Sequence, residues 1–177
     1  MVVPALNESL SIGDVVTSVR TNGWDCLVID DGSTDNTRQT ALDHGALVIS
    51  LATNLGVGAA LRAGFRFAVE NGYSRVVQCD ADGQHRASLI KTLVVSEPLL
   101  TEFASSFPAH FLGDTFEACL VATTKGYKVI EVPVGMDERK YGRSTASAIQ
   151  ATRYILRSIA VAFLGLTFEI APKEDPA

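Results

Sequence analysis

The chain has 177 residues, 47% of them hydrophobic, and its formal net charge at pH 7 is -5. This length predicts one globular domain with a sizeable core and is short for two domains. The acidic balance excludes nucleic acid as the main partner, because binding a phosphate backbone requires a basic face.

In the first half of the chain, short β-branched runs alternate with helical patterns. The runs predict buried strands at residues 2–3, 26–30, 46–50 and 76–80. Apolar residues repeat at helical spacing in two segments between them: Ile12, Val15, Val16 and Val19 in the first, and Leu61, Phe65 and Val69 in the second. Asn71 and Gly72 are predicted to end the second helix.

This alternation of strand and helix predicts an α/β fold with a mostly parallel sheet and helices on both faces. Ligands of such sheets bind beyond the carboxyl ends of the strands. Polar residues follow the predicted strands at that end: Asn7, Asp30, Asp31 and residues 80–82. The sequence therefore predicts that these separate clusters form one site.

The second half is less regular. A helix is predicted at residues 114–125, ended by Gly126, with Phe116, Leu120 and Val121 toward the core. Residues 129–134 are predicted to form a strand, at a sheet edge because Pro133 lies near its end. Residues 144–168 are polar and basic at first and almost wholly apolar later, which is typical of an interfacial helix. Residues 169–177 are predicted to be a disordered tail.

Cysteine usage and hydropathy indicate the compartment. Cys26, Cys79 and Cys119 are odd in number, lie in apolar stretches and include no Cys-x-x-Cys pair, which predicts buried thiols in a reduced, cytosolic protein. No signal peptide is predicted, because no basic region precedes a long apolar core at the N-terminus. The longest apolar run, residues 159–166, is far shorter than the roughly 20 residues that a membrane-spanning helix needs.

Five motifs follow one another along the chain: Pro-Ala-Leu-Asn-Glu at 4–8, Asp-Asp-Gly-Ser-Thr-Asp at 30–35, Asn-Leu-Gly-Val-Gly-Ala at 54–59, Asp-Ala-Asp-Gly-Gln-His at 80–85 and Arg-Lys-Tyr-Gly-Arg-Ser at 139–144. In this order they resemble the motifs of inverting GT-A glycosyltransferases of the family 2 type, most of all the polyprenyl-phosphate, dolichol-phosphate mannose synthase-like branch. Each motif alone is weak, but five in order at sensible spacing are specific.

The resemblance covers residues 1–90 well and residues 113–145 moderately. It implies a GT-A, Rossmann-like domain at residues 1–143, with a nucleotide-sugar and metal half at 1–90 and a shortened acceptor half at 91–143. The predicted helix at 144–168 and the tail at 169–177 follow this domain.

Asp80 and Asp82 stand two residues apart at a predicted strand end, so both carboxylates point to one side. Their hard oxygens suit Mg²⁺ or Mn²⁺, and a solvated acidic turn is the alternative. The resemblance adds Ala81 to the donor site. Gln84 and His85 follow closely as candidate acceptor contacts, although a lone histidine in a loop is more often polar surface.

The resemblance implies that Asp31 accepts hydrogen bonds from the base of the donor, while Pro4, Asn7 and Glu8 line the nucleoside pocket. Turn and cap chemistry is the alternative for the segment after Asp31, and we expect capping from Ser33 and Asp35.

Gly56 and Gly58 precede a predicted helix and could let backbone amides approach a phosphate. Close helix packing explains the two glycines equally well. Arg62 reaches either the phosphate or solvent.

By the same resemblance, Asp114 occupies the position of the general base, and a helix cap is the alternative. A lipid phosphate acceptor needs no base, because it is already mostly ionised at neutral pH, whereas a hydroxyl acceptor does. Arg139 and Arg143, with Ser144, suit phosphate binding. A basic patch that faces anionic lipid is the competing interpretation.

The chain departs from the family pattern in one length. Enzymes of this family carry several tens more residues between the metal motif and the helix after Asp114. The acceptor site is therefore the least defined part of the prediction. A nucleotide-sugar-binding module without turnover stays an alternative. A nucleotidyltransferase is disfavoured, because residues 4–8 are not the glycine- and arginine-rich loop that holds a triphosphate.

The sequence thus predicts a metal-dependent glycosyltransferase of cell envelope biosynthesis, with a nucleoside-diphosphate sugar as donor and a polyprenyl phosphate or glycan as acceptor. We expect it in the cytoplasm, peripheral at the inner face of the cell membrane. The sugar, the base, the acceptor and the oligomeric state are left open, a homo-oligomer included.

Overall fold

The computed structural model describes residues 1–81, 93–107 and 115–130, and within the last range the side chains from residue 118 onward. The predicted interfacial helix at 144–168, the tail at 169–177 and most of the predicted strand at 129–134 lie outside the described residues. None of the described helices is long and apolar enough to cross a membrane.

The described chain forms one five-stranded sheet with helices between its strands. The strands are β1 (Val2–Ala5), β2 (Leu27–Asp30), β3 (Leu47–Ser50), β4 (Arg75–Gln78) and β5 (Leu93–Ser96), and the helices are α1 (Ile12–Thr21), α2 (Thr37–Asp43), α3 (Val57–Glu70), α4 (Leu99–Ser106) and α5 (Thr115–Thr124). The strand order is β3-β2-β1-β4-β5. All neighbours pair parallel except β5, which runs antiparallel to β4. The predicted α/β fold with a mostly parallel sheet is confirmed.

Both faces of the sheet are buried, as the alternation of strand and helix predicted. Successive side chains of a strand point to opposite faces, and β1 divides accordingly: Val2 packs in a core with α3 and α4, and Val3 packs in a second core with α1. The predicted apolar stripe of α1 is buried at all four positions. In α3, Leu61 and Phe65 are buried as predicted.

Helix α3 packs closely on the sheet and on α4. A Cβ atom added at Gly64 would lie 2.4 Å from Cγ1 of Val2, so only glycine permits this approach of helix to strand. At the next position of α3, the ring centroid of Phe65 lies 5.9 Å from that of Phe103 and 5.1 Å from that of Phe107. Such ring clusters bury large apolar areas and stabilise the core.

Helix α5 partly corrects the prediction for the second half. It ends before Gly126, as predicted. Gly126 has a φ of 82°, and its backbone N–H donates a hydrogen bond to the carbonyl of Thr123, which is typical of a glycine that ends a helix. Its buried side chains are Ala118 and Ala122, with Val121 packed against the core. Leu120, predicted to face the core, is only half-buried.

The start of the strand predicted at 129–134 is wrong. Val129 and Ile130 lie outside any strand, and Ile130 is 67% exposed. These β-branched residues follow the stop of α5 directly, and local sequence preference for a strand yields to that context. The predicted buried thiols are confirmed for Cys26 and Cys79, whereas Cys119 is half-buried.

Candidate functional site

The sheet opens between β1 and β4 at its carboxyl end. β1 pairs with β2 over four residues but with β4 only through Val2 and Gln78, where the amide of Cys79 donates to the carbonyl of Val2 at 3.0 Å. The next residue of β1 on that side is Pro4, which has no N–H to continue the ladder. β2 and β3 lie on one side of this point and β4 on the other, so the gap is the topological switch point where such sheets bind ligands.

A cleft of about 420 Å³ lies at this opening. Its lining contains Pro4, Ala5, Leu6, Glu8, Asp31, Asn54, Gly56, Val57, Ala60, Asp80 and Ala81. Of the predicted site residues, the structure thus brings Pro4, Glu8, Asp31, Gly56, Asp80 and Ala81 together. Five lining residues were missed: Ala5, Leu6, Asn54, Val57 and Ala60. All but Ala60 stand in the motifs at residues 4–8 and 54–59.

Asp31 organises the wall of the cleft that follows β3. The side chain is 4% exposed, and its Oδ1 and Oδ2 accept hydrogen bonds from the amides of Leu55 and Gly56, each at 2.8 Å. Hydrogen bonds to a buried carboxylate are strong, so this pair of bonds fixes the loop that leads into α3. The carboxylate faces the cleft and holds its wall at the same time.

Gly32 makes this arrangement possible. Its φ is 76°, and a Cβ atom there would lie 2.7 Å from both the amide nitrogen of Asn54 and the carbonyl carbon of Thr53. Any other residue would push this backbone away from Asp31. The glycine of the Asp-Asp-Gly-Ser motif therefore lets two loops of the site meet.

Asp30 points away from the cleft, because adjacent side chains at a strand end point in opposite directions. Its Oδ1 accepts the amide of Ser33 at 3.0 Å, and its Oδ2 accepts the hydroxyl of Ser50 at 3.2 Å. The turn chemistry considered for this motif therefore belongs to Asp30.

Asn7 ties the loop after β1 to the loop after β2. The backbone N–H of Asn7 donates to Oγ of Ser33 at 2.9 Å, and its side-chain Oδ1 accepts the backbone N–H of Thr34 at 2.9 Å. Asn7 is exposed, has a φ of 54° and does not line the cleft. Because α2 begins at Thr37, Ser33 does not cap that helix, and the capping predicted for it is wrong. It holds Asn7 instead.

A second tie between these loops centres on Thr37, which is fully buried. Its hydroxyl accepts the amide of Glu8 at 2.8 Å and donates to Oδ1 of Asp35. Asp35 also accepts the amides of Thr37 at 2.9 Å and Ser9 at 3.1 Å. Asn36, not Asp35, is the N-cap residue of α2, but Oδ1 of Asp35 does accept the amide of Thr37, the first residue of that helix. Desolvation opposes the shift, but the bonds from Thr37 and Ser9 lower the pKa of Asp35 to about 2.

Glu8 and Asp80 bring further carboxylates to the cleft. Glu8 is half-buried, and its Oε2 accepts the hydroxyl of Ser11 at 2.8 Å. Asp80 is half-buried two residues after β4, and its Oδ1 accepts a hydrogen bond from Nε2 of Gln78 at 3.4 Å. Among the described residues, no three His, Cys, Asp or Glu side chains form a metal-binding group.

Gly58 and Arg62 do not line the cleft. Gly56 precedes α3 with a φ of 89°, and its amide already bonds to Asp31, so it is not free for a phosphate. Gly58 is buried in the first turn of α3. Arg62 lies in another groove, between α3 and α4, together with Arg66 and Ser105.

The remaining predicted site residues lie outside the described part of the chain. They are Asp82, Gln84, His85, Asp114, Arg139, Arg143 and Ser144.

Comparison with known proteins gives the chain a family. The sequence profile described as glycosyl transferase family 2 matches residues 1–95, slightly more than half of the chain. An uncharacterized protein of Methanocaldococcus jannaschii is 35% identical over 103 residues, which are 58% of this chain and 42% of that protein. The undecaprenyl-phosphate mannosyltransferase of Micrococcus luteus is 34% identical over 102 residues, 52% of this chain and 41% of the enzyme.

The chain spans about two fifths of the length of these relatives. A solved structure of glucosyl-3-phosphoglycerate synthase from Mycobacterium tuberculosis, with Mn²⁺, UDP-glucose and phosphoglyceric acid, is 31% identical with a TM-score of 0.40, over 48% of this chain and 34% of that chain. The matched profile extends from β1 into β5 and includes every described residue that lines the cleft. The chain belongs to glycosyl transferase family 2.

Proposed function

We propose that this chain binds a nucleoside-diphosphate sugar, UDP- or GDP-linked, together with Mg²⁺ or Mn²⁺, and transfers the sugar with inversion to a polyprenyl phosphate or glycan acceptor. The observation that carries the proposal is the meeting of Glu8, Asp31 and Asp80 in one cleft at the switch point of the sheet. The family and the relative named as an undecaprenyl-phosphate mannosyltransferase support it.

The donor nucleoside fits the side of the cleft next to β1 and β2. A volume of about 420 Å³ lies within the range of small-molecule sites. Each oxygen of Asp31 accepts one backbone bond and keeps another lone pair, which a base N–H can use. Pro4 and Glu8 form the adjacent wall. Asn7 lies outside the cleft and fixes the loop that carries them.

The residues after β4 suit a divalent cation. Asp80 lies half-buried in the cleft, and its carboxylate is a hard oxygen ligand of the kind that Mg²⁺ and Mn²⁺ prefer. Asp82, two residues on, is the second ligand in this proposal. A bound cation would offset the negative charge on the departing nucleoside diphosphate. Two carboxylates leave coordination positions for the oxygens of the donor diphosphate.

Transfer follows an in-line path in this proposal. An acceptor oxygen attacks the anomeric carbon from the face opposite the diphosphate, and the bond to the diphosphate breaks with its electron pair on the leaving oxygen. Asp114 takes the proton when the acceptor is a hydroxyl and is not needed for an ionised phosphate. Arg139 and Arg143, with Ser144, bind phosphate oxygens, and Gln84 and His85 contact the acceptor.

A lipid acceptor places the reaction at the membrane surface. We assign the chain to the cytoplasmic face, where residues 144–168 would rest at the interface through their apolar half. This assignment depends on the acceptor, so a soluble glycan acceptor would remove the reason for it.

Calorimetry with UDP- and GDP-sugars, with and without Mn²⁺, tests the donor site directly. We expect Mn²⁺-dependent donor binding that falls at least about tenfold in Asp80→Asn and Asp82→Asn, because each substitution removes a charged ligand. Asp43→Asn, an exposed carboxylate on α2, is the matched control and should bind normally. Lack of Mn²⁺-dependent binding in the intact chain would reject the proposal.

A product assay separates turnover from binding. Mass spectrometry of reactions with a donor panel and polyprenyl phosphates should detect a glycosylated lipid and a released nucleoside diphosphate. Donor binding without product for any acceptor would instead identify a nucleotide-sugar-binding module.

A further inference from the structure

Gln78 is a polar residue at a buried position of β4 that faces an apolar core. It is the last residue of β4 and is 5% exposed. Side chains two apart on a strand share a face, so Gln78 lies on the face of Val76, which belongs to the core under α3 and α4. Buried amides are normally fully hydrogen-bonded, and Gln78 is not.

The two ends of the Gln78 amide are satisfied unequally. Nε2 donates to Oδ1 of Asp80 at 3.4 Å. Oε1 is buried and has no hydrogen-bond partner among the described residues. Turning the amide over would place Oε1 beside the Asp80 carboxylate, where two oxygens repel each other. The charge of Asp80 therefore sets the orientation of the amide, and the unpartnered carbonyl follows from it.

We propose that Gln78 is a positioning residue, which holds the Asp80 carboxylate in the orientation that receives the divalent cation and the donor. The inference rests on the proposed function of the cleft. Gln78 touches neither ligand in this scheme. It engages Oδ1 of Asp80 from the buried end of the strand and so restricts rotation of the carboxylate before the cation arrives. Groups behind a metal ligand commonly tune affinity in this way.

The test compares metal affinity with stability in the full chain. Gln78→Met keeps the volume and removes both polar ends. We expect its affinity for Mn²⁺, measured by calorimetry in the presence of UDP, to fall by about tenfold. Its melting temperature should stay equal or rise, because the unpartnered buried carbonyl is gone. Replacing a residue that only stabilised the fold would lower the melting temperature and leave the affinity for Mn²⁺ unchanged.

Gln39→Met is the matched control. Gln39 makes the same kind of contact, Nε2 to Oδ1 of Asp43 at 2.8 Å, on the exposed side of α2. Its replacement should change neither Mn²⁺ affinity nor melting temperature. Gln78→Asn provides a second variant that keeps the amide but is too short to reach Asp80, and it should also lose about tenfold in Mn²⁺ affinity.

The outcomes distinguish this inference from the function on which it rests. Unchanged Mn²⁺ affinity in both Gln78 variants, with normal binding by the wild type, would overturn the role of Gln78 alone. If Gln78→Met does not fold, the affinity of Gln78→Asn decides. Failure of the wild-type chain to bind Mn²⁺ with UDP would overturn the proposed function and this inference together.

Discussion

The two halves of the sheet share an apolar interior but differ in the contacts that are added to it. Around β1, β2 and β3, the loops at the carboxyl end are tied to one another by directed hydrogen bonds: Asp31 to Leu55 and Gly56, Asn7 to Ser33, and Thr37 to Glu8. Around β4 and β5, helix α3 packs on α4 through the rings of Phe65, Phe103 and Phe107. The first half therefore adds directed polar bonds between its loops, and the second adds aromatic packing between α3 and α4.

This difference separates the placement of the site from the stability of the fold. Hydrogen bonds are directional and fix atoms to within a few tenths of an ångström, which suits the wall of a binding cleft. Apolar burial is non-directional and scales with area. We therefore expect damage to the aromatic core to lower stability without altering the cleft, and damage to the polar ties to impair donor binding as well.

The largest stability loss should come from the aromatic core. Phe103→Ala removes a ring that is 1% exposed and leaves a cavity between α3 and α4. We expect a loss of about 4 kcal/mol in the free energy of unfolding, measured by urea denaturation. Donor affinity measured well below the midpoint should stay within about twofold, because Phe103 does not line the cleft. A large loss of donor affinity in the folded variant would contradict the separation between the stability of the core and the placement of the site.

A smaller stability loss with a larger loss of binding should follow Gly32→Ala. The new Cβ atom meets the backbone of Thr53 and Asn54 at 2.7 Å, which neither can yield by a side-chain rotation. We expect about 3 kcal/mol of destabilisation and about tenfold weaker donor binding, as Leu55 and Gly56 are displaced from Asp31. Gly23→Ala is the control, since its φ is 80° but nothing lies within 4 Å of the added atom. It should cost about 1 kcal/mol and leave donor binding unchanged.

The sequence predicted the parts of the fold that depend on local periodicity. Ile12, Val16 and Val19 repeat over enough turns to define α1, and the glycine after Asn71 marks the end of α3. β5 and α4 were not predicted, because a four-residue strand and an eight-residue helix carry too little pattern to separate them from a loop. α4 is held on α3 by aromatic contacts and β5 is held by its pairing with β4, and both interactions are long-range.

The residues of the described cleft were predictable in part, but the hydrogen bonds between them were not. Two adjacent carboxylates must point apart, so one of Asp30 and Asp31 was expected at the ligand. Nothing local indicates that Asp31 also holds residues 55 and 56, more than 20 positions away. The burial of Gln78 beside Asp80 was equally hidden, because a single polar residue in an apolar run has no distinct signature. The polar ties depend on tertiary contacts that spacing alone does not specify.

The smallest effect concerns the pH dependence of the Asp35 tie. Its folded-state pKa is about 2, below the ordinary value of 3.8, so folding favours the ionised form. The stabilisation is fully present above pH 3.8 and is lost as the pH falls through about 2. Because Asp35 is exposed, solvent screening limits this contribution to the free energy of unfolding to about 1 kcal/mol.

The measurement is the difference in unfolding free energy between the wild type and Asp35→Asn at a series of pH values. Groups that titrate alike in both proteins cancel, so the difference should be about 1 kcal/mol at pH 5 and shrink toward pH 2. Asp43→Asn serves as the control, because Asp43 is an exposed carboxylate of α2 that does not bridge the two loops. A difference for Asp35→Asn that stays constant between pH 5 and 2 would mean that its charge contributes nothing. The tie between the loops would then depend on the neutral hydroxyl of Thr37 alone.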